Sequence, residues 1–76
     1  MFSKKIKTII GIEGMSCEHC ANKVSKTLED MEKIKSVKVS LSKKQALVTS
    51  DEKLDYDEIK KVIESLDYNV TDIKEK

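Results

Sequence analysis

The spacing of apolar residues changes period in a fixed order along this chain, and that order restricts the fold more than any single residue does. Ile6, Thr8, Ile10 and Ile12 alternate with Lys5, Lys7 and Gly11, which predicts a strand from about Lys5 to Glu13, ended by Gly14. Ala21, Val24, Leu28 and Met31 then recur at helical spacing, with Lys23, Lys26, Glu29 and Asp30 turned outward, predicting a helix from about Glu18 to Glu32. Val37, Val39 and Leu41 alternate with Lys38 and Ser40. After the polar turn Ser42-Lys43-Lys44, Ala46 and Val48 continue the alternation, so these two runs read as a hairpin. A capping box opens a second helix, with Asp55 as N-cap, Glu58 at the third helical position and Leu54 placed to staple onto Ile59. Its apolar stripe is Ile59, Val62, Ile63 and Leu66. Tyr68, Val70 and Ile73 supply a last short strand before a charged tail, Lys74, Glu75 and Lys76, expected to fray.

That order is β-α-β-β-α-β, the split βαβ pattern of a ferredoxin-like α+β sandwich. Strands that alternate apolar and polar residues imply a four-stranded antiparallel sheet with one wet face, so both helices should cover the other. The expected core is Ile10, Val24, Leu28, Val37, Val39, Ile63 and Leu66. A chain of 76 residues with no proline and only two glycines offers no linker, so residues 1–76 are expected to form a single domain. A domain of that size buries only about 60% of its unfolded surface, which leaves little room for a deep catalytic cleft. The formal charge is +1, every basic residue is a lysine, and lysines and acids are interspersed along the chain, which argues against nucleic acid as the main partner. No apolar run approaches the roughly 18 residues of a membrane span. Lys4, Lys5 and Lys7 stand where a signal peptide would need an apolar core, so a cytosolic protein without membrane insertion is expected.

The chemistry concentrates where the first strand gives way to the first helix. Cys17 and Cys20, the only cysteines, are three residues apart there. On a helical turn such residues have Cβ atoms about 5–6 Å apart, and two metal–sulfur bonds of about 2.3 Å span up to about 4.6 Å. One soft ion can therefore bridge both sulfurs. Thiolates select Cu(I), zinc or iron–sulfur clusters, but Cys17, Cys20 and the lone His19 cannot supply a four-ligand zinc site or a four-thiolate cluster. Cu(I), satisfied by two thiolates, fits the inventory best. In a reducing compartment such a pair is metal-binding or redox-active before it is a structural staple. A Zn(II) or Cd(II) module and a small dithiol redox protein stay open as alternatives, although Glu18-His19 stands where a thioredoxin-like motif usually has Gly-Pro. Between the cysteines His19 reads as a solvated side chain, since a third ligand would slow metal release, and Met15 reads as core filler. Thiols at a helix N-terminus are stabilised as thiolates by the positive end of the dipole and so should accept metal at neutral pH.

Gly14, Met15, Cys17 and Cys20 reproduce a Gly-Met-x-Cys-x-x-Cys motif, and with it the chain resembles the heavy-metal-associated domains, within them the small bacterial copper chaperones. The resemblance runs from the Ile10 strand through Leu66-Asp67-Tyr68. It implies that Cys17 and Cys20 bind Cu(I) in near-linear geometry and pass it by ligand exchange to the metal-binding domain of a copper-transporting P-type ATPase. A copper-responsive regulator and a copper-bridged homodimer are further partners it implies, and the thiols would be reactive without making the protein an enzyme. It also implies that Met15 packs beneath the loop and that Tyr68 sits near it. Ser16 stands where zinc-transporting relatives usually have an acidic residue. Asp67 and Lys33 replace two glycines common in the family; Asp67 tolerates left-handed backbone, and Lys33 lies in a turn away from the motif.

Overall fold

The computed structural model describes residues 5–76, so Lys4, counted above against a signal peptide, lies outside the described residues. The chain runs β1 (Ile6–Glu13), α1 (Glu18–Glu29), β2 (Ile34–Ser40), β3 (Gln45–Ser50), α2 (Tyr56–Glu64) and β4 (Asn69–Glu75). All pairings are antiparallel and the sheet order is β2-β3-β1-β4, which puts β2 and β4 at the edges. The ferredoxin-like expectation holds: α1 lies over β2, α2 over β4, and both cover one face. No helix among the described residues is long and apolar enough to cross a membrane.

Alternation in the two central strands sends Thr8, Ile10 and Ile12 of β1 and Ala46, Val48 and Ser50 of β3 inward, all of them buried. Val24 and Leu28 of α1 and Ile59 and Ile63 of α2 close over them, also fully buried. Asp55 caps α2 as expected, its carboxylate accepting from the backbone N–H of Asp57 at 3.0 Å and of Glu58 at 3.4 Å. Leu54, just before the cap, joins the core.

The edges depart from the expected pattern. α1 stops at Glu29, three residues early, because Glu29, Asp30 and Glu32 gather acids at the negative end of the helix dipole. Met31 still packs on the core, from a turn in which its N–H bonds to Leu28 O and its own carbonyl accepts from Ile34 N–H. β2 begins at Ile34, before the expected Val37, and Leu41 falls in the turn after it. Val37, Val39 and Leu66, expected in the core, are half-buried at its margin, while Ile12, Ile34, Ala46, Val48, Leu54 and Ile59 are more deeply buried.

The tail does not fray. Lys74 pairs with Ile9, Glu75 with Thr8, and Lys76 N–H donates to Lys7 O at 2.8 Å, because backbone pairing with β1 holds the segment whatever its charge. The strand bulges at Thr71, opposite the step from Gly11 to Ile12, so that Val70 and Ile73, three residues apart, both turn toward the helices. A Cβ on Gly11 would meet Thr71 Oγ1, so any larger residue there has to displace that side chain.

Candidate metal centre

The loop that carries the cysteines is shaped by a glycine and closed by a ring. β1 delivers the chain to Gly14, whose φ of +106° is open to glycine and strained for any L side chain. A Cβ there would also meet Tyr68 Cδ1 at 3.1 Å, so the glycine lets the backbone pass against the Tyr68 ring. Tyr68 is delivered from the other side by the turn after α2, where Asp67 takes a φ of 71°. Asp67 thus holds the left-handed conformation expected of it, and Lys33 needs none. Lys44, in the β2–β3 turn, is the other non-glycine residue with positive φ among the described residues, at 54°.

Cys17 is the N-cap of α1 in extended conformation, φ −158° and ψ 174°, with no side-chain capping bond. Its carbonyl accepts from Cys20 N–H at 3.1 Å and Ala21 N–H at 3.2 Å, which starts the helix and brings Cys20 round to the same side. The two sulfurs lie 3.9 Å apart, and both cysteines are free. Cys17 is exposed and Cys20 half-buried. Ser16 Oγ stands 4.0 Å from Cys20 Sγ. Met15 packs against the core below the loop. His19 is exposed, and no group of three or more His, Cys, Asp or Glu side chains able to hold a metal ion occurs among the described residues.

The electrostatics single out Cys20. Its thiol is lowered from 9.0 to about 6, chiefly because the Tyr68 hydroxyl can donate to the thiolate, then through the Ser16 backbone, with partial burial working the other way. The nearby Cys20 thiolate likewise pushes the Tyr68 phenol up from 10.0 to about 12, since a phenolate could not donate to it and would face its charge, and partial burial adds to the rise. The acidity of Cys20 therefore traces chiefly to a tyrosine from the far end of the chain and not to the helix N-terminus from which it was expected. Sequence spacing could not have found this: Tyr68 is 48 positions from Cys20, and only family resemblance pointed to it. Ser16, which touches the same sulfur, had no signal beyond its place between Met15 and Cys17.

Known proteins share this architecture. Residues 9–69 match the profile of the heavy-metal-associated domain, HMA. The copper chaperone CopZ of Staphylococcus haemolyticus is 38% identical over 66 residues, covering 86% of this chain and 97% of that protein. Among solved structures, a CopZ metallochaperone superposes with a TM-score of 0.79 at 33% identity, over 86% of this chain and 98% of that one. The N-terminal domain of a potential copper-translocating P-type ATPase from Bacillus subtilis, solved in the Cu(I)-loaded state, superposes with a TM-score of 0.82 at 26% identity, over 96% and 92%.

Proposed function

Because the chain belongs to the heavy-metal-associated domain family, we propose that it is a CopZ-like copper chaperone that carries Cu(I) on Cys17 and Cys20 and acts in the cytosol as a single domain, without being an enzyme. The observation that carries this reading is the pair of free sulfurs 3.9 Å apart on an exposed loop, one of them readily ionised and, among the described residues, with no third His, Cys, Asp or Glu beside them to complete a three-ligand site. Two sulfurs bridging an ion linearly stand about 4.6 Å apart at bond lengths near the zinc value. Small side-chain rotations of Cys17, the exposed partner, would open the gap by that much. Two-thiolate ligation leaves Cu(I) open to attack by a third.

In the proposed transfer, a thiolate of a partner domain joins the ion from the exposed Cys17 side before a donor sulfur leaves, so copper is never released free. The proposed recipient is the metal-binding domain of a copper-transporting P-type ATPase, a reading supported by the likeness to such a domain in its Cu(I)-loaded state. Donor and acceptor being alike, the exchange is close to neutral and is driven by whatever consumes the acceptor's copper. A copper-responsive regulator could be served by the same exchange, and a second copy of this chain sharing one ion would give the copper-bridged homodimer.

The test is competition for Cu(I) between the reduced protein and a chromophoric Cu(I) chelator. The protein should retain about one ion per chain, as the single thiol pair dictates, and Cys17→Ser and Cys20→Ser should each cripple retention. If both variants hold copper as tightly as the parent, the site lies elsewhere. Preferential retention of Zn(II) from a mixture of the two ions would make the protein a zinc module instead.

A further inference from the structure

Lysines and acids that alternate in the sequence are separated in space. Residues 5–13, 34–50 and 69–76, which form the sheet and its hairpin turn, carry eight lysines and three acids. Residues 14–33 and 51–68, which form the helices and their adjoining loops, carry six lysines and eleven acids. Among the described residues the sheet side is therefore net positive by five and the helix side net negative by five, or by four each once Lys35 of β2 and Asp51 after β3, which pair across the boundary at 3.4 Å, are set aside, on a protein whose formal charge is only +1.

The face of the sheet away from the helices focuses this charge. Register places Lys38, Leu47, Ile9 and Lys74 in one row across all four strands, with the apolar pair central and a lysine on each edge strand. Ile9 and Leu47 are half-buried and both lysines exposed. The neighbouring row adds Lys7, with Lys76 beside it through the bond from Lys76 N–H to Lys7 O. Glu13 and Asp72, the acids on this face, lie toward the cysteine-loop end.

We propose that this face is a peripheral docking surface for an anionic lipid bilayer. Three features favour a bilayer over an acidic protein. All the cations are lysines, point charges suited to a diffuse field of headgroups, and the forked arginines that pair bidentately with carboxylates are absent. Among the described residues the face carries no aromatic anchor of the kind on which protein interfaces concentrate their affinity. Its lysine stems flank an apolar strip, so they can lie along it with their ammonium groups reaching the phosphates. The acidic helix side is repelled by the same bilayer and sets the orientation. Docked this way, the Cys17–Cys20 loop lies at one end of the molecule with α1 on the solvent side, free to meet a partner in the membrane plane.

Flotation of the metal-free protein with vesicles tests this independently of any copper binding. The parent should float with vesicles containing phosphatidylglycerol, stay behind with phosphatidylcholine alone, and be released by salt. Lys38→Gln with Lys74→Gln should lower partitioning about thirtyfold, a factor of about five for each surface lysine. Lys60→Gln with Lys61→Gln, an equal change on exposed helix residues, should leave it in place. Failure to bind phosphatidylglycerol overturns the proposal, as does an equal loss in both double variants. Sedimentation showing that the sheet lysines support self-association, with no vesicle binding, would assign the face to a second copy's acidic helices.

Discussion

Replacing Tyr68 by phenylalanine isolates one hydroxyl from everything else at the centre. The ring still packs against Gly14, but Cys20 loses the largest of the influences that bring its thiol from 9.0 down to about 6. At a pKa of about 6 the thiol is about 90% ionised at pH 7, at 9.0 only about 1%, and a rise of a single unit already brings it to about 50%. The assay is alkylation of Cys20 followed by site-resolved mass spectrometry across pH. The quantity to read is the midpoint, because a less acidic thiol is also a better nucleophile once ionised. The midpoint should stand near 6 in the parent and move toward 9.0 in Tyr68→Phe. A reciprocal shift is required: in Cys20→Ser the Tyr68 phenol should titrate closer to 10.0 than to about 12. Linkage fixes the sign of the stability effect. The folded state holds Cys20 below its unfolded value, so ionised Cys20 stabilises the fold fully above about 9.0, and that contribution fades as pH falls and is gone below about 6. The stability gap between parent and Cys20→Ser should therefore widen from pH 6 to 9, and widen less in a Tyr68→Phe background. An unchanged Cys20 midpoint in Tyr68→Phe would refute the coupling and leave Tyr68 a packing residue.

Three further outcomes test the scaffold. Leu28→Ala, at a fully buried position, should cost about 2–5 kcal/mol in denaturant unfolding, whereas Cys17→Ser on the exposed loop should stay within about 0.5 kcal/mol of the parent. Thr8→Val removes a buried hydroxyl that has no hydrogen-bond partner; thermal melts should show a gain of about 1 kcal/mol, the penalty of the unsatisfied group being lifted. Gly11→Ala must push a methyl into Thr71 and should cost about 1–3 kcal/mol by overpacking, with backbone amide shifts confined to β1 and the bulge of β4; an unperturbed spectrum would mean that the bulge tolerates a Cβ.

What the sequence hid follows one physical rule, visible in both edge strands. Ile34 and Val37 are three residues apart, as are Val70 and Ile73, and strict alternation cannot place either pair on one face. The sequence pattern accordingly starts β2 too late and leaves the end of β4 as a loose tail. The structure resolves each conflict with a one-residue bulge, at Lys35 and at Thr71, which flips the parity so that both members of each pair turn inward. A bulge is invisible to periodicity because it is defined by the partner strand, and at Thr71 the partner supplies the permission in the form of Gly11, a residue that sequence alone reads only as a gap in the polar face. The central strands and the Asp55 cap were legible because each depends on local contacts or on a regular repeat. The centre divides in the same way. Cys17 and Cys20 stand close in sequence and are brought close by a single helical turn, so their pairing could be read from spacing; the acidity of Cys20 could not, since it depends on a hydroxyl that arrives only after α2 and the left-handed turn at Asp67 have carried the chain back to the loop. Asp67 therefore joins core geometry to thiol chemistry: the backbone conformation it accepts determines where Tyr68 lands, and where Tyr68 lands determines how much of Cys20 is thiolate at neutral pH.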